Sequence, residues 1–252
     1  MKSHRYYRAA RKLVRPIRRV LQSSSPCCSP DDFGSSVMVL IAHPDDEVFC
    51  SGLICELLSM GKEVHLVSMT RGEGGERGEI ADDAKLASVR ERELDCAAEA
   101  LEVTSLTFLD YLDPISETGE LSEPEHDSSE LLAELSQLLA SKNAEDLVTH
   151  GSSGEYWHPA HLCLHRHARL LTRRLANLQL WTFNAWSPQH PLPAVLNQDD
   201  VSNLSLDGSA YQEKRLRSLS CHFSQKDVFQ RFANGTLEDF IKLTTTENYR
   251  KR

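Results

Sequence analysis

The sequence predicts an α/β fold with a mostly parallel, open sheet and helices on both faces. Short apolar runs rich in β-branched residues alternate with stretches of helical spacing, and these runs end in dense polar clusters. A length of 252 residues suits one such domain with a full core.

Val37, Met38, Val39, Leu40 and Ile41 read as a buried strand that stops at Ala42-His43-Pro44-Asp45-Asp46-Glu47. Proline lacks an N–H and suits the first position of a helix, which puts His43 at the cap and the three acids in the first turn, ionised by its positive end. Adjacent helical residues point about 100° apart, so Asp45 and Asp46 cannot share one task. If one binds a metal with His43, the other faces whatever the metal binds, which is a hydrolase arrangement. Alone, the same residues would also serve as an acid-rich helix start with a capping histidine.

Residues 48–60 carry Val48, Leu53, Leu57 and Leu58 at helical spacing, and the small Cys50, Ser51 and Gly52 let the helix approach the sheet. A second strand over 62–70 completes a strand–helix–strand unit, which favours a parallel sheet. The glycine-rich loop 71–79 lines a polar pocket or is solvated; no P-loop lysine supports nucleotide binding. Residues 85–101 form a helix with Leu86, Val89, Leu94 and Leu101 on one face and Arg90, Glu91, Arg92 and Glu93 on the other. A third strand at 106–109 ends near Asp113, an acidic excursion spans 115–127, a helix covers 128–141 and a fourth strand 146–149.

That strand also ends in a polar cluster, His150 to His161, in which His158-Pro159 repeats the device of His43-Pro44. His158 is expected at a cap and His161 in the first turn of a helix running to about residue 176. His165 and His167, further along it, read as surface or packing residues. A fifth strand covers 178–186, turn-rich segments occupy 188–193 and 198–208, and helical patterns 211–219 and 229–249.

The net charge of −9 is unevenly spread: residues 1–28 hold eight bases and no acid, leaving 20 bases against 37 acids beyond them. The body is therefore not a phosphate-binding surface, and no nucleic-acid partner is expected. The basic segment admits three readings: contact with an anionic membrane, an organelle-targeting peptide, or a tail without a role. Residues 22–35 read as a Ser/Pro linker, so 1–35 form a leader and 36–252 a single domain. Seven cysteines, odd in number and without paired zinc-finger spacing, read as reduced and mostly buried, which points to a reducing, cytoplasmic compartment, with the basic segment at the membrane periphery as one option. Oligomeric state is not legible.

In an open parallel sheet functional groups gather at the carboxyl ends of strands. His43, Asp46 and His161 occupy such ends, and one acid with two imidazoles leaves a position open for water, as a catalytic zinc requires.

Ala42 to Glu47 after a strand, Thr70-Arg71-Gly72-Glu73, Arg90 to Leu94 on a helix and His158-Pro159-Ala160-His161 together resemble the LmbE/PIG-L family of zinc-dependent N-acetyl-sugar deacetylases, with a weaker echo at His222-Phe223-Ser224-Gln225. The resemblance implies a Rossmann-like fold and removal of the acetyl group from an N-acetylglucosamine-type conjugate by a zinc-bound water. It implies His43, Asp46 and His161 as metal ligands, Asp45 as general base, His158, as imidazolium, as the partner of the tetrahedral intermediate and the departing amine, and Arg90 and Asp113 as sugar contacts. Zn2+ is the expected cofactor, with Fe2+ as alternative. Ala160 departs from the family, which commonly carries Asp there, so orientation of a ligand histidine is open to change. The competing functions are a zinc hydrolase of a non-sugar amide or ester and a sugar-binding protein without turnover.

Overall fold

The computed structural model describes residues 28–252 except 78, 79, 81, 116–119, 189, 191 and 193–196. The basic segment expected over 1–28 lies, but for its last residue, outside the described residues.

β1 (Ser36–Ile41) is buried along its whole length because both of its faces are covered. Val37, Val39 and Ile41 join one core cluster with Leu53, Ile54 and Leu94, whereas Met38, Leu40 and Ala42 join another with Leu131, Leu135 and Leu164. The strand's period of two thus divides one apolar run between two helical layers. Full burial of each such side chain is worth about 1.5–3 kcal/mol.

The remaining elements alternate as expected: α1 (Ser51–Ser59), β2 (Glu63–Ser68), α2 (Asp83–Leu101), β3 (Ser105–Phe108), α3 (Ser128–Ser141), β4 (Asp146–Thr149), a one-turn α4 (Gly154–Trp157), α5 (Pro159–Arg174) and β5 (Gln179–Thr182). β1 pairs in parallel with β2, with Val39 opposite Leu66, and with β4, with Met38 opposite Leu147. The sheet order is β3-β2-β1-β4-β5, continued by β9 (Thr246–Lys251) and β8 (Leu204–Asp207). Strand order reverses between β1 and β4, and a crevice opens at such a switch point outside the carboxyl ends.

The second half departs from the sequence pattern. The strand expected over 178–186 breaks at Asn184, whose φ is 51°, into β5 and a short β6 (Ala185–Trp186), which pairs with β7 (Asn197–Val201). The turn-rich stretch 198–208 also holds β8 (Leu204–Asp207). After α6 (Gln212–Cys221), the helical pattern of 229–249 resolves into α7 (Lys226–Ala233), α8 (Leu237–Leu243) and a strand, β9 (Thr246–Lys251). β9 is a strand because β5 and β8 both offer it backbone partners in antiparallel register, and Tyr249 is fully buried there.

β9 also explains the small residues at the start of α1. Glu247 accepts the N–H groups of Gly52 and Leu53 at 2.7 and 2.9 Å, and a Cβ at position 52 would fall 2.8 Å from its Oε1. The expectation that the cysteines are all reduced is corrected: Cys96 on α2 and Cys221 at the end of α6 form a disulfide, while Cys50, Cys55 and Cys163 are buried thiols. The two are 125 residues apart, and docking of α6 on α2 brings their Cα atoms to 5.8 Å. Among the described residues no helix is long and apolar enough to cross a membrane.

Candidate metal and catalytic centre

Two loops meet at the switch point, one leaving β1 and one leaving β4. Pro44 does not open a regular helix as expected. Asp45 instead adopts a left-handed conformation, φ 110°, and a 3-10 turn over Asp46–Cys50 precedes α1. This reversal lets Asp46 Oδ2 accept the His43 N–H at 2.8 Å and sends Asp45 to the other side of the turn. Positive φ at a non-glycine residue is unfavourable and persists only where its surroundings impose it. Here Glu47 Oε2 accepts the Asp45 N–H at 3.0 Å and Arg90 binds the Asp45 carboxylate at 3.0 Å. On the other side of the crevice His158 caps α5, Pro159 takes its first position and His161 its first turn, as expected.

His43 Nδ1 lies 3.3 Å from Asp46 Oδ2 and 3.4 Å from His161 Nε2, and His161 Nε2 lies 3.4 Å from Asp46 Oδ1. A tetrahedral ion with N and O ligands at about 2.05 Å has ligand–ligand edges of about 3.3 Å. The separations are of that size, with Asp46 facing His43 through Oδ2 and His161 through Oδ1. His43, His158 and His161, and likewise Asp46, His150 and His161, also bring ligand atoms within 4.8 Å of one another. His150 is nevertheless committed elsewhere: Nε2 accepts the Ala42 N–H at 3.1 Å and Nδ1 faces Glu155 at 3.0 Å.

Both histidines of the triad are oriented by carboxylates, the arrangement that fixes tautomer and ring position in metal sites. His161 Nδ1 donates to Glu155 Oε2 at 2.6 Å, and His43 Nε2 faces Asp113 Oδ1 at 3.3 Å. Glu155 was not singled out by sequence; its signal is an acid six residues before His161, within the same polar cluster. Ala160 is fully buried in the core, and Glu155 supplies the carboxylate beside His161.

The two residues expected as sugar contacts, Asp113 and Arg90, also hold protein partners. Asp113 stands behind His43 and accepts the Gly74 N–H at 3.1 Å. Arg90, expected on the polar face of its helix, is 3% exposed and donates to the carbonyls of Gly72 and Pro44 as well as binding Asp45. A Cβ at Gly72 or Gly75 would collide with its guanidinium, so both glycines are packing requirements. Glu93, on the same helix, accepts from the N–H and Oγ of Ser224 at 2.8 and 2.7 Å, and His222 meets Glu47 at 2.5 Å. The carboxy-terminal motif thus clamps the turn that carries Asp45. His165 is a packing residue, with Nδ1 3.0 Å from the His150 carbonyl.

The electrostatics divide the two adjacent acids. Burial pushes Asp45 up to about 6, Arg90 pulling down and Asp46 pushing up. Burial acts the same way on Asp46, but His161, His150 and His43 outweigh it and hold that carboxyl well below its usual range. Burial also lowers His43, yet Asp113 and Asp46 keep it up at about 10. His158 is pushed strongly down by burial and by the imidazoles of His161 and His43. Its buried Nδ1 has no hydrogen-bond partner.

Residues 38–172 match the family model described as PIG-L, GlcNAc-PI de-N-acetylase. A 1D-myo-inositol 2-acetamido-2-deoxy-alpha-D-glucopyranoside deacetylase of Thermobifida fusca is 26% identical over 81% of this chain and 88% of its own length. The chain spans about half the length of other curated relatives it matches, at 30–31% identity. Among solved structures, N,N'-diacetylchitobiose deacetylase from Pyrococcus horikoshii superposes with a TM-score of 0.62 and 19% identity over 98% of this chain and 92% of that one. GalB, the 4-carboxy-2-hydroxymuconate hydratase of Pseudomonas putida, does so with a TM-score of 0.62 and 18% identity over 86% and 96%. Ordered motifs, switch-point geometry and the match across 38–172 agree: the chain belongs to the PIG-L (LmbE) family.

Proposed function

We propose that this chain is a metal-dependent N-deacetylase that hydrolyses the acetamide of an N-acetylglucosamine-type conjugate. The observation that carries the reading is the convergence of His43, Asp46 and His161 beside Asp45, whose carboxyl group burial pushes up to about 6. The names of the relatives support the substrate class, since the Thermobifida fusca protein is a deacetylase of a 2-acetamido-2-deoxyglucopyranoside of inositol and the Pyrococcus horikoshii protein one of diacetylchitobiose.

In this reading His43, Asp46 and His161 hold Zn2+, with Fe2+ as the alternative. The ion would supply Lewis acidity toward the acetyl carbonyl and a nucleophilic water near neutral pH. Asp45 Oδ2 pairs with Arg90, which leaves Oδ1 to take the proton from the attacking water. A pKa near 6 suits this task better than an ordinary aspartate's, because the group is ionised at pH 7 yet basic enough to hold a proton. Neutral His158 donates a hydrogen bond to the developing oxyanion, and the proton gathered by Asp45 goes to the departing amine. Arg90 and Asp113 act as positioning residues for Asp45 and His43.

Residues 36–252 form the catalytic unit in this reading, and the basic stretch 1–28 lends it peripheral contact with anionic membranes. Deleting 1–28 should release the protein from anionic vesicles and leave hydrolysis of a soluble conjugate unchanged.

The test of function is elemental analysis of the purified chain together with amine release from a panel of N-acetylglucosamine conjugates, non-sugar amides and esters. About one metal ion in the His43 centre, with amine release from the sugar conjugates that Asp45→Ala abolishes, is expected. Turnover confined to the non-sugar compounds would overturn the substrate class. A chain that takes no metal on reconstitution would overturn the ligand set.

A further inference from the structure

α5 carries a second set of metal-ligating side chains. Cys163 is two residues beyond His161, so it points to nearly the opposite side of the helix, and His167 lies one turn further along that side. His126, in the segment before α3, meets them there. Cys163 Sγ is 3.6 Å from His126 Nε2 and 3.5 Å from His167 Nδ1, and the two imidazoles meet edge-on with centroids 5.0 Å apart. One ligand atom from each residue lies within 4.8 Å of the other two. Cys163 and His167 are buried and His126 half-buried.

This is more than a packed cysteine. A thiol has one weak donor, yet two imidazoles converge on this sulfur. His126 Nδ1 is taken by the Pro124 carbonyl at 2.8 Å, which sets the tautomer so that the Nε2 lone pair faces the sulfur. A backbone carbonyl on one ring nitrogen with a free lone pair on the other is the usual preparation of a ligand histidine. The separations also fit: a tetrahedral zinc with Zn–S of about 2.3 Å and Zn–N of about 2.05 Å has S···N edges of about 3.5 Å.

We infer that His126, Cys163 and His167 form a second metal site, distinct from the His43 centre, that takes Zn2+ or another thiolate-preferring divalent transition ion. On binding, the Cys163 S–H proton leaves to solvent and the sulfur ligates as thiolate. His167 Nδ1 exchanges its 2.9 Å contact with the Cys163 carbonyl for the ion, and water completes the fourth position. A filled site ties the segment between β3 and α3, which starts beside Asp113, to the helix whose first turn carries His161.

Cobalt tests this directly, because sulfur coordination to Co2+ gives a near-ultraviolet charge-transfer band and His43, Asp46 and His161 provide no sulfur. The metal-free full chain is titrated with Co2+, and total bound metal is counted by elemental analysis. We expect two ions per chain, a charge-transfer band that saturates at one equivalent, and loss of that band with one ion retained in both Cys163→Ser and His126→Ala. His161→Ala should remove the other ion and leave the band in place. A wild-type chain that binds only one ion and shows no band would overturn the second site while leaving the His43 centre intact. A band that survives Cys163→Ser would overturn it too, by assigning the sulfur to another cysteine.

Discussion

Replacing Glu155 by glutamine tests the proposed metal centre. Glu155 is 1% exposed, and its Oε2 receives both the Nδ1–H of His161 at 2.6 Å and that of His150 at 3.0 Å. Burial raises its pKa, but His150 and His161 bring it down to about 2, so it is a carboxylate throughout the working range. A Gln carbonyl can occupy the Oε2 position and keep both hydrogen bonds, but the charge is lost. The amide then faces the Gly151 N–H, a donor against a donor. A hydrogen bond to a charged group is worth about 1.5–3 kcal/mol and a neutral one about 0.5–1.5. The His161 bond should therefore weaken by about 1–2 kcal/mol, or about 5–30-fold, which overlaps the 10–100-fold loss of metal affinity typical when a carboxylate behind a ligand histidine is removed. The assay is competition of the metal-free protein with a fluorescent chelator for Zn2+, with far-ultraviolet circular dichroism as the check on folding. Glu155→Gln should weaken binding about 10–100-fold, saturating Zn2+ should restore much of the turnover, and adding His161→Ala should make Glu155→Gln silent. Affinity within twofold of wild type in a folded Glu155→Gln protein would refute the reasoning.

Asp45→Asn should keep the metal and lower kcat by about 10²–10⁴-fold, read from amine release. Because the carboxylate is the working form and burial lifts its pKa to about 6, wild-type kcat/KM should rise with pH through about 6; a limb near 4 would show that Asp45 is not the base. The Cys96–Cys221 bond spans a sequence separation of 125, and Cys96 is exposed, so mild reductant should open it without denaturant. Losing it should remove about 2–4 kcal/mol, or about 5–15 °C of Tm for a domain this size, as should Cys96→Ser. Gly52→Ala drives a Cβ against the Glu247 carboxylate and should destabilise by about 1–3 kcal/mol in chemical denaturation, whereas Gly61→Ala, where a Cβ meets nothing within 4 Å but φ is 76°, tests backbone strain alone.

The sequence by itself determined what is local. Five consecutive apolar residues at 37–41, three of them β-branched, read as a buried strand, and β1 is that strand, with a polar cluster at its carboxyl end. His158-Pro159-Ala160-His161 specifies a capped helix start, because Pro fixes φ at the first position and sets His161 in the first turn. The proposed ligand set draws on the same local signals: each member lies near a strand end or in the first turn of a capped helix. The tertiary structure decided everything that depends on contacts between distant segments. Asp113 stands behind His43, Arg90 closes on Asp45, and His222 reaches Glu47 across 175 residues, pairings between segments far apart in the chain. The same holds for β9, which carries helical spacing yet pairs with β5 and β8, and for Cys96 with Cys221, which only helix docking brings into reach. Backbone pairing and buried charge are satisfied by whatever the fold places alongside, and no short window of sequence contains that partner.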